Sequence, residues 1–393
     1  MFSTRRHEDL QARVEAILGQ RGRQAILFGE TGVGKTSLVR YLCRKRKIRF
    51  ERVECGGTFE DIMRDVLARV LEREEVERVM TVSGEAELEA SLWKLLTARG
   101  KAGAERQVKT VKLPRSLPGL VAEALAMSGT HVLFLDNFEN VLRKRHETDT
   151  KRKVTEMIKL LSDRSSEAEE DVKLVVAGIP SASEELIALD NAAARRTAQI
   201  DVPRMPPDEL AQILDTGGQK LGLRFEGFGR DQIVQYSDGF PYYTHLYGLH
   251  CARHAINTKN SAVSISDFER SLDEILADCD LALRRTYDRA AETTGGVRVR
   301  KTVMEAMANV NDLEIPFRKI REEFLKLHPD KYDSTDQLNF ISPSIAQLKQ
   351  MQVLTDRGLP KSPNNLYRFN NPLMRGYVRL RAYKERHPSL LDA

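Results

Sequence analysis

The chain has 393 residues, too long for one core of ordinary size, so two or three domains are expected. Apolar residues make up 41% and charged residues 30%, a globular composition. No run of about 18 or more apolar residues suggests a membrane span, and the opening Met1-Phe2-Ser3-Thr4-Arg5-Arg6-His7-Glu8 has no apolar signal region. The net charge of +5 is unevenly spread: residues 281–393 carry 20 basic and 13 acidic side chains, a net +7, leaving −2 for the first 280. Cys43, Cys55, Cys251 and Cys279 form no CxxC pair and no disulfide framework, which points to a reducing cytoplasm.

In chain order, residues 7–18 place Leu10, Val14, Ile17 and Leu18 on one helical face. The run Ala25-Ile26-Leu27-Phe28 suits a strand buried on both faces of a parallel sheet. A glycine-rich turn and a helix from Lys35 to Arg44 follow, then a strand over 48–53 and a helix capped by Thr58 and Asp61. Residues 99–115, rich in Gly, Lys and Arg, read as a solvated insertion or a partner-binding or nucleic-acid-binding loop. Strand and helix then alternate: strand His131–Leu135, helix 150–163, strand Val172–Ala177, helix 182–189, strand Ala198–Val202. Such alternation implies a parallel sheet with helices on both faces.

After Pro206-Pro207 the pattern turns helical, with a capping signature at Ser266 and Glu269. Helices over 299–309, 316–327 and 343–351 precede short strands at Gln352–Leu354 and Leu366–Phe369. The expected divisions are 1–205, 206–280 and 281–393: an α/β domain, an all-helical domain, and a basic domain of helices with a two-stranded wing.

The chemistry concentrates in Gly29-Glu30-Thr31-Gly32-Val33-Gly34-Lys35-Thr36, followed by Ser37, which fits G-x-x-x-x-G-K-S/T after a strand and before a helix. Glycines let backbone N–H groups wrap a phosphate, and the helix adds the positive end of its dipole. Lys35 is expected on the β- and γ-phosphates, and Thr36 on Mg²⁺. Val132-Leu133-Phe134-Leu135-Asp136 is an apolar strand ending in a carboxylate, so Asp136 is the second expected magnesium ligand. The absence of an N-K-x-D motif favours ATP over GTP. His250 and His254 share a helix face in an HxxxH pair, but without a further ligand they read as ordinary helix residues.

With Asn137-Phe138-Glu139-Asn140 following Asp136, the sequence resembles the AAA+ and STAND branch of P-loop ATPases. In many members the position after the magnesium aspartate is an acid that polarises the attacking water. Here it is Asn137, which can orient water but cannot accept its proton. Glu139, two residues on, is the candidate replacement, and slow hydrolysis is the expectation. Further correspondences are implied by the same resemblance. Phe2–Leu10 is similar to the FxGRxxEL lead-in, which puts Arg5 near the adenine. Ser181 falls where the first sensor lies, though with Glu184 it also fits a helix cap. Arg195-Arg196 falls where an arginine finger often sits, with Arg196 the candidate, or is a solvated pair. Gly239-Phe240-Pro241 resembles the STAND GxP motif, which brings Pro241 near the base.

The last third resembles the winged-helix domain of origin-recognition and initiator-type ATPases. Residues 357–386 hold Arg357, Lys361, Arg368, Arg375, Arg379, Arg381, Lys384 and Arg386 against Glu385 alone. Placed on a wing and final helix, these suit phosphate contacts to double-stranded DNA. The candidate reading helix Pro343–Met351 has Lys349 as its only base, so specificity should be modest. A protein partner is the alternative ligand. The overall expectation is an ATP- and Mg²⁺-binding regulatory ATPase, cycling between ATP and ADP, forming a homo-oligomer when ATP is bound, and working in the cytoplasm away from membranes. The alternative is a STAND-type signalling scaffold.

Overall fold

The computed structural model describes residues 8–72, 74, 75, 79, 85–102, 116–143, 147–167, 172–180, 186, 188–292, 299–357 and 365–387. The chain divides into two compact units, Met1–Glu30 with Gly34–Pro203, and Thr31–Val33 with Arg204–Ala393. The second unit contains the described parts of both 206–280 and 281–393. No described helix is long and apolar enough to cross a membrane, and all four cysteines are free and buried.

The first unit is built on five parallel strands: β1 (Gln24–Phe28), β2 (Phe50–Glu54), β3 (Val132–Asp136), β4 (Lys173–Gly178) and β5 (Thr197–Asp201). Their order is β2-β3-β4-β1-β5. β3 and β4 are buried at every position, which is why their sequences are continuous apolar runs rather than alternating ones. The sheet register sets Glu54 of β2 beside Asp136 of β3, and Phe28 of β1 between Gly178 and Asp201. All the strand carboxyl ends therefore open at one edge, where ligands of open α/β sheets bind.

Helices Glu8–Gly19, Lys35–Lys45 and Phe59–Val70 agree with the periodicity, and Thr58 and Asp61 form the reciprocal cap. The helix expected over 150–163 is longer, Glu147–Glu167. Two helices had no counterpart in the sequence reading, Glu85–Ala102 and Leu117–Met127. The second is buried from Leu117 through Val121 without a polar face, so it has no stripe to detect. The first runs through residues 99–102, correcting the expected start of the basic loop; residues 103–115 lie outside the described residues.

In the second unit, helices Pro207–Leu221, Gly227–Ser237 and Pro241–Asn257 surround a buried aromatic cluster. Tyr243 and Tyr247 stack at 5.2 Å, and Phe268 meets Tyr247 edge-on at 6.3 Å. This region is not purely helical, because β6 (Arg224–Phe225) and β7 (Ala262–Val263) pair in parallel. The cap expected at Ser266 lies two residues earlier. The Ser264 N–H and hydroxyl both donate to the Asp267 carboxylate, and helix Ile265–Arg270 starts there. His250 is enclosed between Glu274 (3.1 Å) and Asp278 (2.9 Å), and His254 meets Asp267 at 2.7 Å. Each histidine thus has its own carboxylate partners, and no metal-holding group of His, Cys, Asp and Glu occurs among the described residues.

The C-terminal part has helices Leu281–Ala291, Val299–Asn309, Phe317–Leu327 and Ile341–Gln350. It closes with strands β9 (Leu354–Arg357) and β10 (Leu366–Phe369) and helix Met374–Arg386. β10 pairs antiparallel with β9 on one side and with β8 (Ile315–Pro316) on the other. This order of helices and strands fits a winged helix. Buried Tyr243 reaches this part through its hydroxyl, which donates to the Leu373 carbonyl at 2.6 Å.

Helix Gly227–Ser237 approaches the chain entering Ile265–Arg270 so closely that a Cβ on Gly229 would stand 2.7 Å from the Ser264 carbonyl carbon and 2.8 Å from the Ile265 nitrogen. Gly229→Ala should therefore cost about 1–3 kcal/mol, the usual range for overpacking. Urea unfolding reads this directly, and an unshifted midpoint would mean that the two backbones do not meet there.

Candidate functional site

Why the site forms at the end of β1 follows from local chemistry. β1 ends at Phe28, and the Gly29 N–H still donates to the Gly178 carbonyl of β4 at 3.2 Å, which anchors the start of the loop to the sheet. Gly32 and Gly34 adopt φ of 89° and 96°, conformations that cost an L side chain energy. Gly34 is the N-cap of helix Lys35–Lys45 and offers no side-chain cap. The first N–H groups of that helix are therefore free for an anion.

Lys35 is only 7% exposed, and its ammonium donates to the carbonyls of Gly29 (2.8 Å) and Glu30 (3.1 Å). Burial pushes its pKa below the usual lysine value, against the pull of Glu139, Asp136 and Glu30. Thr36 Oγ1 donates to Asp136 Oδ2 at 2.7 Å. That bond brings a hydroxyl from the helix and a carboxylate from β3, 100 residues apart, to one point. An oxygen-only donor pair with one carboxylate suits a hard cation such as Mg²⁺, which keeps several waters of its own. Asp136 Oδ1 accepts the Asn137 N–H at 3.0 Å, so its second oxygen is also fixed.

With the P-loop, the carboxylate and the sheet order in place, the family match is decisive: residues 4–176 match the model described as AAA ATPase domain. The chain carries an AAA ATPase domain. No curated protein matches the sequence. A Walker-type ATPase of Pyrococcus abyssi is similar in structure with a TM-score of 0.51 at 17% identity, covering 96% of each chain, a likeness of fold. The ORC1 protein of Aeropyrum pernix, in complex with DNA, has a TM-score of 0.48 at 13% identity over 98% of this chain and 93% of that one. Cdc6p of Pyrobaculum aerophilum has 0.44 at 14% identity over 97% and 95%.

Around the AAA ATPase site, Asn137 takes a left-handed φ of 55°, and its side-chain amide donates to Glu54 Oε1 at 3.0 Å. Glu139 lies in the first turn of the short helical stretch Phe138–Arg143, and its Oε2 is buried without a hydrogen-bond partner. Its charge is the largest influence favouring protonated Lys35, so the structure brings Glu139, Lys35, Thr36 and Asp136 together. Arg196 ends the short helix Asn191–Arg196 and makes a forked pair with Asp163 at 2.8 and 3.0 Å. Pro241 is a buried first-turn residue of helix Pro241–Asn257 in the second unit. Arg5 and Ser181 lie outside the described residues.

Two side chains at this site escaped the sequence reading. Arg52 Nε donates to Asp136 Oδ2 at 2.8 Å, and Glu54 holds the Asn137 amide. Both sit on β2, whose pairing with β3 becomes known only from the sheet.

The basic segment 357–386 requires a correction. Arg375 is buried, forks onto Asp238 at 2.7 and 2.6 Å, and donates to the carbonyls of Val310, Asn311 and Asp312. Arg379 donates to the Ala308 carbonyl and meets Asp238 at 3.3 Å; burial pushes its pKa down. Arg204 adds a third guanidinium to Asp238 at 2.7 Å. Lys384 pairs with Asp273, Arg386 with Glu305 and Arg381 with Asp288. Arg375 and Arg379 meet the carboxyl end of helix Val299–Asn309, where orphan carbonyls attract cations. Arg375 and Arg379 are therefore packing residues rather than part of a phosphate-binding face. Arg368 remains exposed, whereas Lys361 and the side chain of Arg357 lie outside the described residues. On the candidate reading helix, Lys349 pairs with Asp356 at 2.6 Å.

Asp238→Ala should take away the carboxylate that three clustered guanidinium groups share and destabilise the protein by about 3–5 kcal/mol, the usual range for a broken buried pair. Chemical denaturation checks this, and a loss below about 1 kcal/mol would show the cluster to be solvated. At the nucleotide site, phosphate favours charged Lys35, whose pKa is lowered without it. Binding should therefore take up a proton at alkaline pH, and affinity should fall as pH rises toward the lysine range. Calorimetry in buffers of different ionisation enthalpy measures that uptake, and Lys35→Ala should abolish binding.

Proposed function

We propose that the protein is an ATP-operated switch: it binds Mg·ATP in the AAA ATPase domain, hydrolyses it slowly, and assembles with further copies when ATP is bound. The observation that carries this reading is the contact of Thr36 with Asp136 beside a residue, Asn137, that cannot accept a proton. Thr36 and Asp136 would hold the metal, which would draw charge from the β- and γ-phosphates when bound. Lys35 supplies the fixed cation, Gly29–Ser37 the backbone cradle, and Glu139 the carboxylate nearest in electrostatic effect to Lys35. Arg196 is the finger candidate, and its release from Asp163 is part of the proposal. Arg5 and Pro241 are proposed beside the base.

Association with double-stranded DNA through the winged helix belongs to the same proposal; among the described residues its candidate contacts are the exposed Arg368 and Arg386, the latter by leaving Glu305. A second reading, a STAND-type scaffold whose C-terminal part binds a protein, is favoured by that same inward pairing.

Turnover is expected below the ~1–100 s⁻¹ of active phosphoryl-transfer enzymes, and a phosphate-release assay giving a rate inside that range overturns the slow switch. Light scattering should show a larger particle with ATP than with ADP. For the DNA arm, affinity should fall steeply with salt, by about 0.9 log units per log unit of salt for each phosphate neutralised. Arg368→Glu should shallow the slope, whereas a flat salt response selects the protein-partner reading.

A further inference from the structure

Asp136 is more heavily engaged than a magnesium ligand requires. Its side chain is 3% exposed, and Oδ2 accepts two donors, Thr36 Oγ1 at 2.7 Å and Arg52 Nε at 2.8 Å. Arg52 stands on β2 at the position paired with Phe134, two residues before Glu54, which is paired with Asp136. Its guanidinium reaches forward along the strand to the sheet edge. A carboxylate this buried needs a counter-charge, and charge-assisted hydrogen bonds to guanidinium are the strong kind. The oxygen that Arg52 occupies is the one Thr36 also touches, and Thr36 and Asp136 are the residues that would hold a divalent ion.

Resting on the reading of Asp136 as the magnesium carboxylate, we propose that Arg52 is a built-in competitor of Mg²⁺: the guanidinium and the metal contend for Asp136 Oδ2, and metal loading displaces Arg52. The side chain of Arg52 is 38% exposed, so it can swing into solvent while its strand stays in place. Arg52 is a positioning residue. It sets how much Mg²⁺ the AAA ATPase domain needs before ATP is held with its metal, and it keeps Asp136 neutralised until then. The chain thereby raises the metal threshold of its own switch.

The test uses the full chain. Binding of a fluorescent ATP analogue is titrated with Mg²⁺ for wild type, Arg52→Ala and Arg52→Lys. Removing the competing cation should lower the half-saturating Mg²⁺ by about three- to tenfold, tenfold being ~1.4 kcal/mol, and Arg52→Lys should return it toward the wild-type value. Independently of nucleotide, Arg52→Ala should melt at a lower temperature than wild type in chelator, and Mg²⁺ should narrow the gap. An unchanged half-saturation in a folded Arg52→Ala variant overturns the proposal. If wild type shows no Mg²⁺-dependent binding, the reading of the site itself fails, a different result from an unmoved threshold.

Discussion

A single buried carboxylate organises the first unit. Asp136 ends β3 at the edge of the sheet, and a charge placed there has to be matched on every side. Thr36 reaches it from the helix after the phosphate loop, Arg52 from β2, and its own neighbour Asn137 from the backbone. The helix after the phosphate loop and β2, 100 and 84 residues away along the chain, are therefore held to the end of β3 by hydrogen bonds to one oxygen, Oδ2. Lys35 loses solvation by burial and recovers part of that loss from Glu139, Asp136 and Glu30.

The second unit repeats the device with the signs reversed in proportion. Asp238, in the left-handed region at φ 51°, is one carboxylate for three guanidinium groups, Arg204, Arg375 and Arg379. The surplus cation is offset by the carbonyls of Ala308, Val310, Asn311 and Asp312 beyond the turn of a helix end. Arg204 also lies over the Phe240 ring, 4.4 Å from its centroid. A basic stretch that looks like a surface in one dimension is thus spent on joining helix Met374–Arg386 to the turn before Pro241. The spacing along that helix forecasts the result: Arg375 and Arg379 are four apart and share one face with buried Val378 and Ala382.

Much of the site was legible beforehand because it is local. A P-loop is a strand, a turn and a helix in succession, and each residue type in it answers to its immediate neighbours. Left-handed φ at Gly32 and Gly34 and the buried Lys35 follow from that stretch alone. Apolar runs identified β1, β3 and β4 because a parallel sheet buries both faces of its central strands. Helix Leu117–Met127 escaped the same logic, being buried around its whole circumference and lacking periodicity. The Ser264 cap was misplaced by two residues because Ser264 and Ser266 both stand three before an acid, at Asp267 and Glu269; packing of Phe268 into the aromatic cluster selects the first.

The sequence by itself determined the phosphate-binding turn, the carboxylate at the end of an apolar strand and the alternation that makes an α/β sheet, since each depends on neighbours within a few residues. Only the tertiary structure decided which charges meet. Arg52 and Glu54 enter the site because β2 pairs with β3 in one register, and a shift of one residue would turn both to the other face. Arg375 and Arg379 leave the surface because Asp238, about 140 residues earlier, lies opposite them. Charge in a sequence fixes a total. Its effect depends on distance and on exclusion from water, which chain folding alone sets.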